Sequence, residues 1–351
     1  MSFIVPKKPQ ILYAPMLSSF GGGSARGFNP GGGAGFPGFT FTNAGQTGRF
    51  GPSLTTCRSA YSSTADGWDP TDTTQFNVTT DGYQDFKIYV GGSYRLRVRG
   101  AKGGDNTREA EGIGGQGAEI DVNFTFTEGS ALRIIVGQQG TTTSGQGSGG
   151  GGGGTFVVYG ANLTYFQLNQ SYIANNLLVA AGGGGGGTDC ADFPSDRPGV
   201  NAAYASTGGT ASRGGTANGG TSGNGGSYPG GSWSGAGGAG VFSNGSYPYH
   251  DAQPTGSTAR TYYDNPYFNG GQKGSSYGEE GGFGGGAGGS WGGSGGGGYS
   301  GGSADLSNGA SNDKAGGGGG GSFKNTGFSG YSFNSAGNHS DSDGSVLLEK
   351  I

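Results

Sequence analysis

Apolar and polar residues alternate at three places in the first half of the chain. Phe86, Ile88 and Val90 form one set. Tyr94, Leu96 and Val98 form a second, just past Gly91-Gly92, and Ile120, Val122, Phe124 and Phe126 a third. A period of two puts successive side chains on opposite faces, so each set predicts a strand with one buried face. Leu132 to Val136, Thr155 to Tyr159 and Leu177 to Ala181 are compact apolar runs of strand length, and Ser345 to Lys350 follows the turn sequence SDSDG. Strands this short and closely spaced predict an antiparallel β-sandwich or jelly roll that closes with the C-terminal strand. Leu54, Cys57, Ala60 and Tyr61 are spaced for one short helix within residues 51–61.

Three runs of six glycines interrupt this pattern, at 149–154, 182–187 and 316–321. Two of them abut predicted strands: GGGGGGTFVV and LLVAAGGGGGG. A lone glycine segment has no side chain to bury and loses the most backbone entropy on ordering. Many such segments together have one ordered option. Polyproline-II backbones turn every three residues with N–H and C=O pointing outward, so chains without Cβ atoms can approach and bond laterally. Six residues would span about 19 Å in that form. The glycine runs are therefore expected to be the core of a polyglycine-II bundle rather than linkers.

Composition sharpens this. Glycine (89) and proline (13) make up more than a quarter of 351 residues, a range typical of low-complexity chains. Disordered chains carry high net charge and few aromatics. Here the net charge is only −4, and aromatics reach 12%, enough to build a core. A weakly acidic chain offers no basic face for nucleic acid. Arg95, Arg97 and Arg99 alternate along a predicted strand and read as its solvated face. No stretch is long and apolar enough to span a membrane, and MSFIVPKKPQILYAPM has no signal-peptide core.

Catalytic and metal chemistry find little support. The histidines, His250 and His339, read as plain loop residues. Cys57 and Cys190 form either one bridge or two reduced thiols. GxGxxG recurs, but at this glycine frequency and outside a βαβ unit it carries no meaning. No catalytic residue, cofactor or metal ligand is expected. Recognition falls instead to aromatic clusters between the glycine segments: Tyr228, Trp233, Tyr247, Tyr249, His250, Tyr262, Tyr263, Tyr267 and Phe268. Tyr and Trp supply large contact areas at low rotamer cost, and their faces suit sugar rings.

The order of pieces resembles a known family. GPSLTTCRSAY, DGYQDFKIYVGGSYRLRVRGAKGG, LRIIVGQQG, GGGGGGTFVV, LLVAAGGGGGG and GGFGGGAGGSWGGSGGGGYSGG follow one another over about residues 48–325. This is similar to the glycine-rich extracellular region of the anaplastic lymphoma kinase and leukocyte tyrosine kinase receptors. The resemblance implies a tumour-necrosis-factor-like jelly roll with an inserted polyglycine-II bundle. It brings no contact motif, and the receptors' kinase and membrane-spanning parts have no counterpart in this sequence. Residues 1–50, above all ILYAPMLSSFGGGSARGF, resemble the N-terminal segments of structural proteins of marine tailed phages. Glycine-rich adhesins at the fibre tips of T-even phages offer a functional analogy.

The expected organisation is an extended attachment arm (1–50), a β-sandwich (51–181) with a first glycine insertion at 137–154, a polyglycine-II body with aromatic loops (182–340), and a closing strand (341–351). The class is all-β. The expected role is a virion structural protein: tail fibre, appendage or capsid decoration. Tyr13, Phe20, Arg26 and Phe28 would anchor it to other virion proteins, and the aromatic loops would meet a host-surface glycan or protein. Self-association is open, and no nucleic acid or membrane insertion is expected. Such a protein is assembled in the host cytoplasm and is extracellular after release. The alternative is an extracellular ligand-binding module with no virion role.

Overall fold

The computed structural model describes residues 36–351, apart from residues 66, 109, 165, 167–169, 190–194, 196, 213–216, 231–233, 248–267, 274–276 and 306–313. The described residues belong to one compact unit, Gly35–Ile351. It is mostly β, with two antiparallel sheets and little helix. Its elements in chain order are β1 (Phe39–Phe41), α1 (Leu54–Tyr61), β2 (Phe76–Asn77), β3 (Tyr83–Lys87), β4 (Gly92–Arg99), β5 (Gly117–Phe126), β6 (Ala131–Ile135) and β7 (Thr155–Gly160). α2 (Gln170–Asn176), β8 (Leu177–Ala181), β9 (Phe323–Lys324), β10 (Ser332–His339) and β11 (Ser345–Lys350) follow.

The first sheet runs β1-β11-β4-β5-β10 and the second β2-β3-β6-β7-β8-β9. Alternation along the first sheet has the expected effect. Tyr94, Leu96, Val98, Ile120, Val122, Phe124, Val346 and Leu348 point inward and are buried. Arg95, Arg97 and Arg99 lie on the outer face, half-exposed, where they pair with Asp121 and Glu119. Burial pushes the Asp121 carboxyl up, but hydrogen bonds from Arg95, Asn334 and Arg97 outweigh it and hold the group below the usual carboxylate range. The second sheet is covered on both faces, which explains its uninterrupted apolar runs. Leu132, Ile134 and Val157 meet the first sheet. Ile135, Phe156 and Val158 meet a second core containing Tyr172 of α2, Phe268 and Phe283. Within that outer layer Arg133 and Asp85 form a buried bidentate pair at 2.7 and 2.8 Å.

Two expected boundaries move. Phe39 and Phe41, read as part of the 1–50 arm, form β1 and pack with Tyr61 and Trp68. The sandwich therefore takes in the chain from Phe36 onward. β10 lies inside the span read as glycine body (182–340) but pairs with β5. The first expected strand, 86–90, sits earlier, at Tyr83–Lys87. α1 forms as expected, with the Ser53 side chain accepting from Thr56 N as its N-cap. Cys57 is a buried free thiol, pushed up to about 12 by burial first and by Asp81 second. Cys190, Tyr13, Phe20, Arg26 and Phe28 lie outside the described residues.

The glycine runs are neither helix nor strand, yet they are buried, and in the run 182–187 every N–H and C=O is bonded. Around 182–187 the donors repeat every three residues. Gly183 and Gly186 donate to Gly297 and Ser294, Gly184 and Gly187 to Ala101 and Gly104, and Gly185 and Thr188 to Val200 and Arg197. The carbonyls do the same: Gly182 and Gly185 accept from Ala118 and Gly115, Gly183 and Gly186 from Gly320 and Gly317, and Gly184 and Gly187 from Gly152 and Gly149. These twelve bonds span 2.7–3.0 Å and reach six different segments. A β-strand bonds to two neighbours in one plane; this segment bonds to six, all round its axis. Absence of side chains makes that possible. A Cβ on Gly184 would collide with the Gly115 carbonyl oxygen.

His339 ends β10 at the junction of the first sheet with the glycine body, a buried residue rather than a plain loop position. Its Nδ1 accepts from Asp341 N (3.2 Å), so the ring is neutral with its proton on Nε2, which donates to the Gly100 carbonyl at 2.6 Å. Burial holds its pKa below the usual value, despite the opposing pull of that carbonyl.

Two outcomes follow from these contacts. Gly184→Val lowers stability by roughly 2–3 kcal/mol or more, because a side chain must force the Gly115–Gln116 backbone away. Gly337→Ala, in β10 with open space at its Cβ position, leaves thermal unfolding essentially unchanged. Equal unfolding midpoints for the two would reduce the glycine runs to spacers. The second outcome concerns pH. Unfolded His339 takes up a proton near its ordinary pKa of about 6.5, whereas the folded ring resists one. Stability present above pH ~6.5 is therefore lost as pH falls below it, towards the folded pKa. In thermal melts between pH 7.5 and about 5, His339→Gln should flatten this slope.

Candidate binding face

The glycine segments continue the strands. β4 runs on into Gly100–Gly104, β6 into Gly137–Gly140 and β8 into Gly182–Gly187. The chain returns through Gly149–Gly154 into β7 and through Gly316–Gly321 towards β9. One end of the glycine body is therefore fixed to the sandwich, and the chain reverses at the other. Asp105–Arg108, Glu111, Thr142–Gly147, Thr188, Trp291 and Lys314 lie at that far end. Their neighbours are set by the bonds Thr188 N to Arg197 O, Ser148 N to Ser290 O and Gly293 N to Ala315 O.

A charged and aromatic cluster closes this end. Asp189 accepts from Lys314 Nζ at 2.8 Å, from Gly147 N at 3.0 Å and from Arg108 at 2.9 Å. Lys314 and Asp189 are each 2% exposed at the side chain, and Arg108 is 44% exposed. Lys314 Nζ lies 4.3 Å from the centre of the Trp291 ring, a cation–π contact. Tyr277 packs on Trp291 with ring centres 4.5 Å apart at 44°, and keeps 40% of its surface exposed. Thr188 Oγ1 donates to the carbonyls of Gly147 and Trp291, each at 3.3 Å. Asn106 Nδ2 donates to Gly147 O at 2.8 Å. Arg197 pairs with Glu111 alongside. Every oxygen of Asp189 is engaged, so the group anchors the cluster. Among the described residues no three His, Cys, Asp or Glu side chains gather where a metal ion would sit.

The expected recognition residues divide. Tyr247 is 40% exposed and Tyr228 half-buried. They follow Ser246 and Ser227, which bond to Gly226 and Asn218 towards the same far end. Phe268 is a correction: it is 3% exposed and lies at the sandwich end, its ring 4.4 Å from Phe156. Its backbone is left-handed (φ 86°), and its carbonyl accepts from Gly284 and Gly285. It plugs the second core and presents nothing to a partner. Trp233, Tyr249, His250, Tyr262, Tyr263 and Tyr267 lie outside the described residues.

Sequence reasoning missed Arg108, Asp189, Tyr277 and Lys314. A signal was present. Asp189 follows one six-glycine run and Lys314 precedes another. If those runs lie antiparallel side by side, as Gly183–Gly320 and Gly186–Gly317 do, the two charges meet at the same end. No protein-family model matches the chain, and no curated protein matches it.

Proposed function

We propose that this chain is a structural protein of a tailed-phage virion, a rigid scaffold whose far face contacts the host surface. Tail fibre, appendage and capsid decoration are the positions open to it, with the N-terminal segment joining it to other virion proteins. In this reading the two sheets are a jelly roll of the tumour-necrosis-factor type, and the glycine body is a polyglycine-II bundle. The three-residue period of donors and acceptors around Gly182–Gly187 supports the bundle, since that backbone turns once every three residues. The single observation that carries the functional reading is the division of labour between the two ends. One end of the glycine body continues the strands, and the other carries Tyr228, Tyr247, Tyr277 and Arg108 on rigid supports. Preorganised aromatic groups lose little entropy on contact, which suits a glycan or protein on a cell surface. The virion assignment rests on the N-terminal resemblance.

The receptor-like order of motifs favours a second reading, an extracellular ligand-binding module with no virion role. Mass spectrometry of purified virions separates the two: the virion reading requires peptides of this chain in the particles. Tyr247→Ala together with Tyr277→Ala should leave its incorporation unchanged and reduce host adsorption at least tenfold. Particles without the chain, or undiminished adsorption by the double variant, would overturn the scaffold-and-adhesin reading.

A further inference from the structure

We propose that Lys314 and Asp189 become joined by an amide bond between Nζ and Cγ, an intramolecular cross-link at the far end of the glycine body. Lys314 is the only buried lysine among the described residues, and its Nζ already touches an Asp189 oxygen at 2.8 Å. With 2% of each side chain exposed, bulk water neither solvates the pair nor competes for the carboxyl carbon. Lys102 and Asp105 make a comparable contact at 2.6 Å but keep 17% and 29% exposure, so they remain a hydrated ion pair. The remaining buried pair among the described residues, Asp85 with Arg133, offers a guanidinium, which stays charged and is no nucleophile at neutral pH.

Positioning is supplied by the backbone. Lys314 and Asp189 flank two glycine runs bonded to each other at Gly183–Gly320 and Gly186–Gly317. The reacting groups are therefore held together before reaction, which converts an encounter into a first-order step. The carboxyl group is also prepared for attack. Gly147 N–H donates to Oδ1 and Arg108 to Oδ2. Lys314 shares Oδ1 with Gly147, so Oδ2 is the oxygen left to carry the oxyanion at Cγ, with the Arg108 guanidinium as its donor.

The step balances without a co-reactant. One proton passes from the Lys314 ammonium to the Asp189 carboxylate, giving amine and acid. The nitrogen lone pair attacks Cγ and a C–N bond forms. The proton from Lys314 goes to Oδ1, and negative charge develops on Oδ2, held by Arg108. The C–O bond to the protonated oxygen then breaks, that oxygen takes a second proton from nitrogen, and it leaves as water. Ammonium and carboxylate become amide and water, and nothing is oxidised or reduced.

The test is the intact mass of the full-length chain. The cross-linked protein is one water lighter than its sequence, and a tryptic digest contains a branched peptide joining the segments around 189 and 314. Lys314→Arg keeps the cation but cannot be acylated, and should restore the full mass. Wild-type protein that keeps the full sequence mass after prolonged incubation would overturn the proposal. So would water loss that persists in Lys314→Arg.

Discussion

Everything here depends on one constraint: a buried backbone N–H or C=O must find a partner. In an ordinary core, strands and helices meet that demand locally and side chains fill the space between them. The glycine segments reverse the roles. Their backbones approach so closely that each is the other's hydrogen-bond partner, and no space is left to fill. A collision between a Cβ on Gly184 and the Gly115 carbonyl is the negative image of that arrangement.

Two kinds of core meet within a few residues. Up to Ala181 the chain is β8, buried between Val157 and Phe323 neighbours and held by side-chain packing. From Gly182 onward the same chain is held by bonds to six segments. The strands therefore set the entry points and directions of the glycine segments. Residues at the seam, such as His339 with its neutral ring against Gly100, belong to both cores.

Much of this was legible in the sequence, for physical reasons that differ by element. β4, β5 and β11 show alternation because one face is dry and the other wet. β6, β7 and β8 show unbroken apolar runs because both faces are covered. β10 was not legible: SFNSAGNH is an edge strand whose first half is exposed, so no hydrophobic period marks it. Phe39 and Phe41 fell within the expected arm because their glycine neighbours disguised the sheet they belong to. Phe268 failed in the other direction. It stands among tyrosines that read as a recognition cluster, and only the fold shows that it turns back into the second core. The Asp189–Lys314 cluster escaped because it joins residues far apart in sequence, and only the pairing of two glycine runs brings them together.

The three-residue period has a consequence for how such a protein can change. Removing one residue from within Gly182–Gly187 would put every later donor out of the three-residue repeat and opposite the wrong neighbour. Losses or gains of three keep the direction but shift the partners along the axis. The body is therefore constrained in length along its whole axis, residue by residue.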